Sequence, residues 1–179
     1  MTGGFDPGRF TAAPLQTQGV IRFPGSPDPV FARITDHAAM TDWVPLLKTV
    51  QVTHPKPLPP AQSMAGTARM LAFRGGVSIR EEVVYWDPPR CYAYTTEGKH
   101  WPLRDYVGFM GVQAATGGGG TFLFREYFFV DGALRRALFS PGIVILGRLA
   151  LRNLSKLIGG TSAEFRHVHG RTGPSVLSR

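Results

Sequence analysis

Several features are missing from this 179-residue chain, and each absence excludes a class of protein. The only cysteine is Cys91, so no internal disulfide can form, and a reducing compartment, the cytoplasm, is expected. The longest apolar stretch is interrupted by Arg148 and Arg152, too soon for a membrane-spanning helix of about 20 residues. The N-terminus shows no charged region followed by an apolar run, so no secretory signal is expected.

Acidic residues are scarce in one segment. The chain has 20 Lys and Arg against 12 Asp and Glu, a formal net charge of +8. Residues 132–158 contain Arg135, Arg136, Arg148, Arg152 and Lys156 and no acidic residue. A solvated helix face explains this charge, and weak contact with an anionic membrane is the functional alternative. No nucleic-acid partner is expected.

Hydrophobic periodicity gives the order of the elements. A strand at 15–23 precedes two short helices, the first capped by Asp28 with Pro29 at its first position and the second at 38–43. Strands with tight turns follow, at 47–53, 64–73, 77–86, 91–96, 103–112 and 121–130. A helix at 141–158 ends the series. Three segments are predicted: a flexible leader at 1–13, one domain at 14–159 and a polar tail at 160–179.

This order predicts an α+β fold. Seven strands joined by short turns form a curved antiparallel sheet, and one long C-terminal helix covers its concave face. Because a straight helix fits a curved sheet poorly, a cavity is expected between the two.

The motifs in their order resemble the START-like, helix-grip superfamily (SRPBCC), especially its polyketide cyclase/dehydrase-like branch. The matching stretches extend over about residues 15–158, and they are 28–36 (DPVFARITD), 41–45 (TDWVP), 81–90 (EEVVYWDPPR), 92–94 (YAY), 104–106 (RDY) and 119–121 (GGT). The resemblance implies a helix-grip fold with an internal cavity. Members of this superfamily include lipid carriers and aromatase/cyclases, so the resemblance alone does not select a function.

Strand alternation gives a candidate site. If the two strands joined by the run of four glycines pair with residue numbers summing to about 233, Gly108 faces Arg125 and Tyr106 faces Tyr127. Arg125 then points into the cavity; the alternative is an outward Arg125 paired with a surface acid. Arg104 and Glu82 are further polar candidates. The predicted cavity lining is Trp86, Tyr92, Tyr94, Tyr106, Met110, Arg125 and Tyr127.

The opposite face of the same hairpin is also apolar. Phe109, Phe122, Phe124 and Phe128 are predicted to form a patch on the convex side of the sheet. Such a patch favours a homodimer, or coverage by residues 1–13 or 161–179.

Two functions remain open. The first is binding or transport of a small hydrophobic ligand, such as a lipid, an isoprenoid or a polyketide. The second is an aromatase/cyclase or dehydratase acting on a polyketone, in which Arg125 stabilises an enolate and Tyr106 or Tyr127 donates a proton. Against the enzyme, the pattern predicts no inward general base. No metal and no cofactor are expected.

Overall fold

The computed structural model describes residues 4–54, 63–98, 103–130 and 132–168. Within them, the chain forms one sheet and two α-helices, and short 3-10 turns lie at Pro7–Arg9 and Ala38–Asp42. The elements in chain order are β1 (Leu15–Phe23), α1 (Pro27–Thr35), β2 (Leu47–Thr53), β3 (Ala68–Phe73), β4 (Ser78–Asp87), β5 (Cys91–Glu97), β6 (Leu103–Ala114), β7 (Gly120–Val130), α2 (Ala133–Leu157) and β8 (Ser162–His167). The predicted α+β order, with two short helical segments after the first strand, is confirmed.

The sheet is antiparallel throughout, with the strand order β2-β3-β4-β5-β6-β7-β1-β8. The predicted count of seven strands was one short. The extra strand, β8, lies in the segment expected to be a polar tail. After Gly159, which has a positive φ of 67°, Thr161 N donates to Arg22 O at 2.8 Å and starts the pairing of β8 with β1. Phe165 is the buried residue of β8.

Both α-helices begin earlier than predicted. α1 is capped by Ser26, whose Oγ accepts from Asp28 N at 3.3 Å, so Asp28 is not the cap. α2 starts at Ala133 and continues through Pro141, where the sequence predicted its first residue. Proline at this position cannot donate to the carbonyl of Ala137, yet the flanking turns keep the helix continuous. α2 packs on β1 and β8.

The two faces of the sheet carry separate cores. The face that meets α1 and α2, called here the inner face, buries Ile34, Leu71, Tyr92, Phe122 and Leu154 among others. The outer face buries a second cluster, which is Phe5, Ala13, Leu15, Cys91, Ala93, Val107, Phe109, Leu123 and Tyr127. Both sides of the central strands are therefore apolar.

Residues 4–13 cover the outer face. The ring of Phe5 stacks on Phe109 with 4.8 Å between centroids, and Phe5 is buried. Thr11 Oγ1 donates to Asp105 O at 2.7 Å, and Ala12 N donates to Asp105 Oδ2 at 2.9 Å. Asp105 has a positive φ of 53° where the β6–β7 pairing shifts, so this irregularity anchors the N-terminal segment.

The predicted pairing of β6 with β7 was wrong by one residue. Gly108 faces Glu126 rather than Arg125. The connecting turn occupies residues 115–119, and three of its glycines have positive φ. Because glycines carry no side chains, the sequence does not show which of them leave the strand. A slip of one residue exchanges the two faces of β7.

The predicted patch of four phenylalanines is divided between the two faces. Phe122 and Phe128 are buried in the inner core, and Phe124 packs against it. Only Phe109 lies on the outer face, where Phe5 covers it. The argument for a homodimer through this patch therefore loses its basis, whereas the alternative of coverage by the N-terminal segment agrees with the position of Phe5.

Candidate functional site

A cavity of about 200 Å³ lies between α2 and the inner face of the sheet. Its wall is mostly apolar, and every strand from β3 to β7 contributes to it. The lining residues are Met40, Trp43, Val44, Pro45, Leu71, Phe73, Ile79, Glu81, Tyr94, Leu103, Tyr106, Met110, Phe122, Phe124, Glu126, Ile143, Leu146, Gly147, Ala150, Leu151 and Leu154. Five lining residues that are not fully buried are called here the rim: Val44, Pro45 and Phe73 from the sheet side and Ile143 and Leu146 from α2.

Four polar side chains interrupt the apolar wall, and they are called here the polar cluster: Glu81, Tyr94, Tyr106 and Glu126. Tyr106 donates its hydroxyl hydrogen to Glu126 Oε1 at 2.8 Å. Thr17, from the adjacent β1, donates to the other carboxylate oxygen. Both oxygens of Glu126 therefore accept a hydrogen bond, and each keeps a lone pair that can accept another.

Glu81 has a cation as its partner. Arg69 Nε lies 2.5 Å from Glu81 Oε2, and Arg69 Nη1 lies 2.7 Å from His37 Nδ1. Arg69 is only 1% exposed, and its guanidinium lies over the Tyr94 ring at 4.5 Å from the centroid. This arrangement distinguishes the two carboxylates of the cavity: an arginine neutralises Glu81, whereas Glu126 is held by hydroxyl groups.

Tyr94 occupies space that a glycine leaves open. A Cβ placed on Gly108 would lie 2.3 Å from Tyr94 Cζ and 2.6 Å from its hydroxyl oxygen. Gly108 pairs with Tyr94 on one side and with Glu126 on the other. A side chain at position 108 would therefore displace Tyr94 from the cavity wall. A hydrogen bond between Tyr94 and Tyr106 connects the cluster.

Burial sets the protonation of these groups. It raises the pKa of Glu126, while hydrogen bonds from Thr17 and Tyr106 oppose the shift and the charge of Glu81 adds to it. Burial also raises the pKa values of Tyr94 and Tyr106 well above the usual value, so both hydroxyls keep their protons. Burial and the charge of Arg69 lower the pKa of His37 to about 3, so its ring is neutral.

Five of the predicted lining residues lie on the inner face. Tyr94, Tyr106 and Met110 line the cavity. Tyr92 and Trp86 belong to the inner core beside it, and Tyr92 donates to Ile34 O at 3.0 Å. Alternation along the strands had assigned these five residues to one face.

Arg125 and Tyr127 lie on the outer face, contrary to the prediction. Tyr127 is buried in the outer core, and Arg125 is 7% exposed and hydrogen-bonds to Tyr127. Neither lines the cavity, so neither can serve as the predicted enolate stabiliser or proton donor there. The corrected register places Glu126 in the position expected for Arg125, opposite Gly108.

Glu81 was missed because β4 contains an irregularity. The β4–β5 pairing shifts between Val83 and Tyr85, so inward positions change from odd numbers to even numbers. Glu81 is therefore inward together with Trp86, and the predicted Glu82 is outward, where it pairs with Arg80 at 2.7 Å. A period-two pattern extended along the strand cannot show such a bulge.

Arg104, the other polar candidate, is exposed, and its guanidinium lies 5.8 Å from the centroid of the Phe129 ring. The inward arginine is Arg69, and the available signal was that it shares its strand face with the apolar Leu71 and Phe73, which line the cavity. No cluster of three or more His, Cys, Asp or Glu residues suited to a metal occurs in the described ranges.

The fold and the cavity define a helix-grip domain. A family model described as "Polyketide cyclase / dehydrase and lipid transport" matches residues 14–159, and the chain belongs to that family. The resemblance inferred from the sequence motifs is thereby confirmed. No curated protein matches the chain significantly.

Solved structures of low sequence identity share the fold. The Zhui aromatase/cyclase from Streptomyces sp. R1128 has a TM-score of 0.65 at 12% identity, over 81% of this chain and 94% of that one. A conserved protein from Geobacillus kaustophilus has a TM-score of 0.63 at 15% identity, over 86% and 100%. XoxI from Bacillus cereus has a TM-score of 0.60 at 19% identity, over 80% and 94%.

Proposed function

We propose that the chain binds a small, mostly apolar molecule that carries a hydroxyl group, with this group hydrogen-bonded to Glu126. The observation that carries the proposal is the Glu126 carboxylate on the wall of an apolar cavity. Its two oxygens each accept one hydrogen bond, from Tyr106 and Thr17, and retain capacity for a ligand donor. A few placed polar groups in an apolar pocket are typical of ligand sites.

The size of the cavity limits the ligand. A volume of about 200 Å³ is somewhat larger than the ~150 Å³ in which an apolar cavity holds benzene. A molecule of one or two rings, or a short branched chain, fits without movement of α2. A long polyketone or a membrane lipid would require α2 to shift away from β6 and β7.

Trp43 offers a second polar contact. It lines the cavity and is 5% exposed, and its indole Nε1 has no hydrogen-bond partner among the described residues. Buried indole N–H groups usually have an acceptor. An oxygen atom of the ligand would supply one.

The proposal can be tested by calorimetric titration with 2-naphthol, with 2-methoxynaphthalene as the probe that cannot donate a hydrogen bond. We expect 2-naphthol to bind about tenfold more tightly, since the methyl ether leaves the carboxylate without its donor. Glu126→Gln should remove most of that preference. Tyr106→Phe should weaken 2-naphthol binding about fivefold, and its matched control on the outer face, Tyr127→Phe, should leave it unchanged. Equal affinity for both probes would contradict the proposal.

A second candidate function is proton abstraction in a cyclase or dehydratase. The expected objection, that no inward base exists, is removed by the position of Glu126 in the cavity. Burial raises its pKa, which makes its carboxylate a stronger base, and Tyr94 could donate a hydrogen bond to the oxygen of a substrate ketone. Glu126 would remove a proton from the adjacent carbon and return it to the alkoxide that forms when the resulting enolate attacks a second carbonyl.

This second function predicts deuterium exchange at the α-carbon of a cyclic β-diketone in D₂O, followed by NMR. Glu126→Gln should reduce the protein-dependent rate to background. Glu82→Gln removes a carboxylate on the outward side of β4, outside the cavity, and should not change this rate. A protein that binds 2-naphthol through Glu126 but exchanges no deuterium is a binding protein and not an enzyme of this type.

A further inference from the structure

Exposed apolar side chains lie beside the cavity lining and along the outward side of α2. Leu46 is 53% exposed and Val77 is 49% exposed on one side. Ile145, Leu146 and Leu149 on α2 are 56%, 41% and 44% exposed on the other. These five residues are called here the apolar collar. Large apolar residues that cluster in this way, rather than occurring singly, mark a surface that meets an apolar partner.

Backbone contacts connect the collar to the rim. Leu46 directly follows the rim residue Pro45, and its carbonyl accepts from Arg74 N at 2.8 Å. The carbonyl of Val77 accepts from the N–H of the rim residue Phe73 at 2.8 Å. On α2, Leu146 itself lines the cavity. Leu46, Val77 and Leu146 therefore adjoin the cavity wall, whereas Ile145 and Leu149, by helical spacing, extend the apolar surface over the side of α2 that faces away from the sheet.

The backbone of Leu46 is unusual. Its φ is 63°, in the left-handed region that a leucine rarely adopts. Glycine would occupy this position without strain, so the fold itself does not require a leucine. The side chain of Leu46 projects into solvent at the rim, where a strained residue suggests a functional constraint.

Basic residues are exposed on α2 and near Leu46 and Val77. Arg148 and Arg152 are exposed on α2 and share a groove with Arg166 and Glu164 of β8. Lys48 and Arg74 are exposed beside Leu46 and Val77. Asp42, the nearest carboxylate before Leu46 in the sequence, pairs with Arg33 at 2.5 Å. The sequence of α2 contains five basic residues and no acidic one.

We propose that the apolar collar docks on the surface of an anionic lipid bilayer and opens the cavity toward the acyl chains. Apolar side chains flanked by cations are the combination that binds such a surface. A second copy of the chain fits less well, because each copy would present the same positive charge to the other. Docking needs only the collar and its cations, so the proposal goes beyond ligand binding and does not depend on it.

The test is co-sedimentation of the full chain with phosphatidylcholine vesicles, with and without about 30 mol% phosphatidylserine, across a salt series. We expect binding to the anionic vesicles at low salt, and a decline as salt screens the arginines. Arg148→Gln with Arg152→Gln should weaken binding about 25-fold, since each cation contributes about fivefold. The matched control is Arg9→Gln with Arg90→Gln, two arginines beside Tyr85 on the outer face, which should change it little.

The apolar part of the surface is tested separately. Ile145→Ser with Leu149→Ser should weaken vesicle binding about tenfold, whereas Met70→Ser, at an exposed position of β3 away from the rim, should not. Leu46→Gly relieves the left-handed backbone, so the variant should fold at least as stably as the wild type while binding vesicles several-fold more weakly. This pair of results separates docking from a loss of structure.

Three outcomes would overturn the proposal. The first is binding to neutral and anionic vesicles that is equal and independent of salt, or absent from both. The second is an equal loss of binding in the outer-face control, which would show attraction by net charge alone. The third is a wild-type dimer in sedimentation analysis that Ile145→Ser with Leu149→Ser converts to a monomer, because the collar would then bind a second copy. Thermal unfolding of all these variants at the wild-type temperature would show that their fold is intact.

Discussion

The two faces of the sheet are covered in different ways. On the outer face, residues 4–13 follow the surface and insert Phe5 against Phe109, and the outer core contains neither of the cavity's carboxylates. On the inner face, the long α2 packs on β1 and β8 and leaves a cavity of about 200 Å³ in front of β3 to β7. An extended segment can adapt to a curved sheet, whereas a helix approaches it along one line.

The difference indicates which face of the sheet carries the candidate functional groups. The inner face holds two partnered carboxylates on the cavity wall, Glu81 with Arg69 and Glu126 with Tyr106, whereas the buried pair of the outer face, Arg125 with Tyr127, lines no cavity. Such groups are costly unless paired, so their presence beside a cavity favours a functional role for the inner face. The outer face then contributes mainly stability. Substitutions on the two faces should accordingly affect different properties.

The largest effect is expected when the inner ion pair loses one member. Arg69→Met leaves the buried Glu81 without its cation, and this should lower the free energy of unfolding by about 3–5 kcal/mol at neutral pH. The loss should shrink as the pH falls, because a protonated Glu81 needs no counter-charge. Urea unfolding at several pH values measures both quantities.

Two controls distinguish the buried pair from charge in general. Arg69→Met with Glu81→Met removes both members, and most of the stability should return. Arg80→Met breaks the half-exposed pair with Glu82 and should cost at most about 1 kcal/mol. If the double variant is as unstable as the single one, the packing of Arg69 on Tyr94, rather than its charge, stabilises the inner face.

On the outer face, Phe5→Ala should lower the free energy of unfolding by about 3 kcal/mol, since it removes a buried ring from a well-packed cluster. Affinity for 2-naphthol should stay within twofold of the wild type. Phe129→Ala, at a position that is 36% exposed, is the control; it should cost less stability than Phe5→Ala and leave the affinity unchanged. A large loss of 2-naphthol binding in Phe5→Ala would show that the two faces are coupled.

Gly108→Ala tests the shape of the inner wall. The added methyl group would lie 2.3 Å from Tyr94 Cζ, so Tyr94 must move, at a cost of about 1–3 kcal/mol in unfolding free energy. Adding Tyr94→Val removes the ring and should restore part of this stability. Gly142→Ala on α2, where a Cβ meets nothing within 4 Å, should instead stabilise the protein by up to about 1 kcal/mol. Thermal unfolding ranks the three variants.

The sequence was sufficient to predict the fold class and part of the site. Element order and motifs indicated the helix-grip fold, and alternation along β5 and β6 placed Tyr94, Tyr106 and Met110 on the inner face. Those two strands pair regularly with each other across the site, so a period of two holds there.

The positions of the charged residues in the site depended on strand irregularities that the sequence pattern does not show. The bulge in β4 moved Glu81 inward in place of Glu82, and the glycine turn before β7 moved Glu126 inward in place of Arg125. In each case a register difference of one residue exchanged the two faces of the strand. The side chains assigned to the wrong face were therefore the charged residues that define the site. The strand β8 was missed because only Phe165 gives it a buried apolar residue.

The smallest expected effect concerns Glu126 and the pH. Burial raises its pKa in the folded protein above the ordinary 4.5 of the unfolded chain, so the folded state holds the proton more tightly. Stability that this proton supplies is complete below pH 4.5 and is lost as the pH rises through the folded pKa. Compared with Glu126→Gln, the wild type should therefore lose stability with rising pH, by an amount comparable to one hydrogen bond, about 0.5–1.5 kcal/mol. Urea unfolding from pH 4 to 8 measures the difference, which should exceed that between the wild type and Glu82→Gln.

The opposite result would be a wild type whose stability rises relative to Glu126→Gln as the pH rises. It would mean that Thr17 and Tyr106 stabilise the carboxylate more than burial penalises it. Glu126 would then be a fixed anion suited to hold a ligand hydroxyl, and a poor candidate for moving protons.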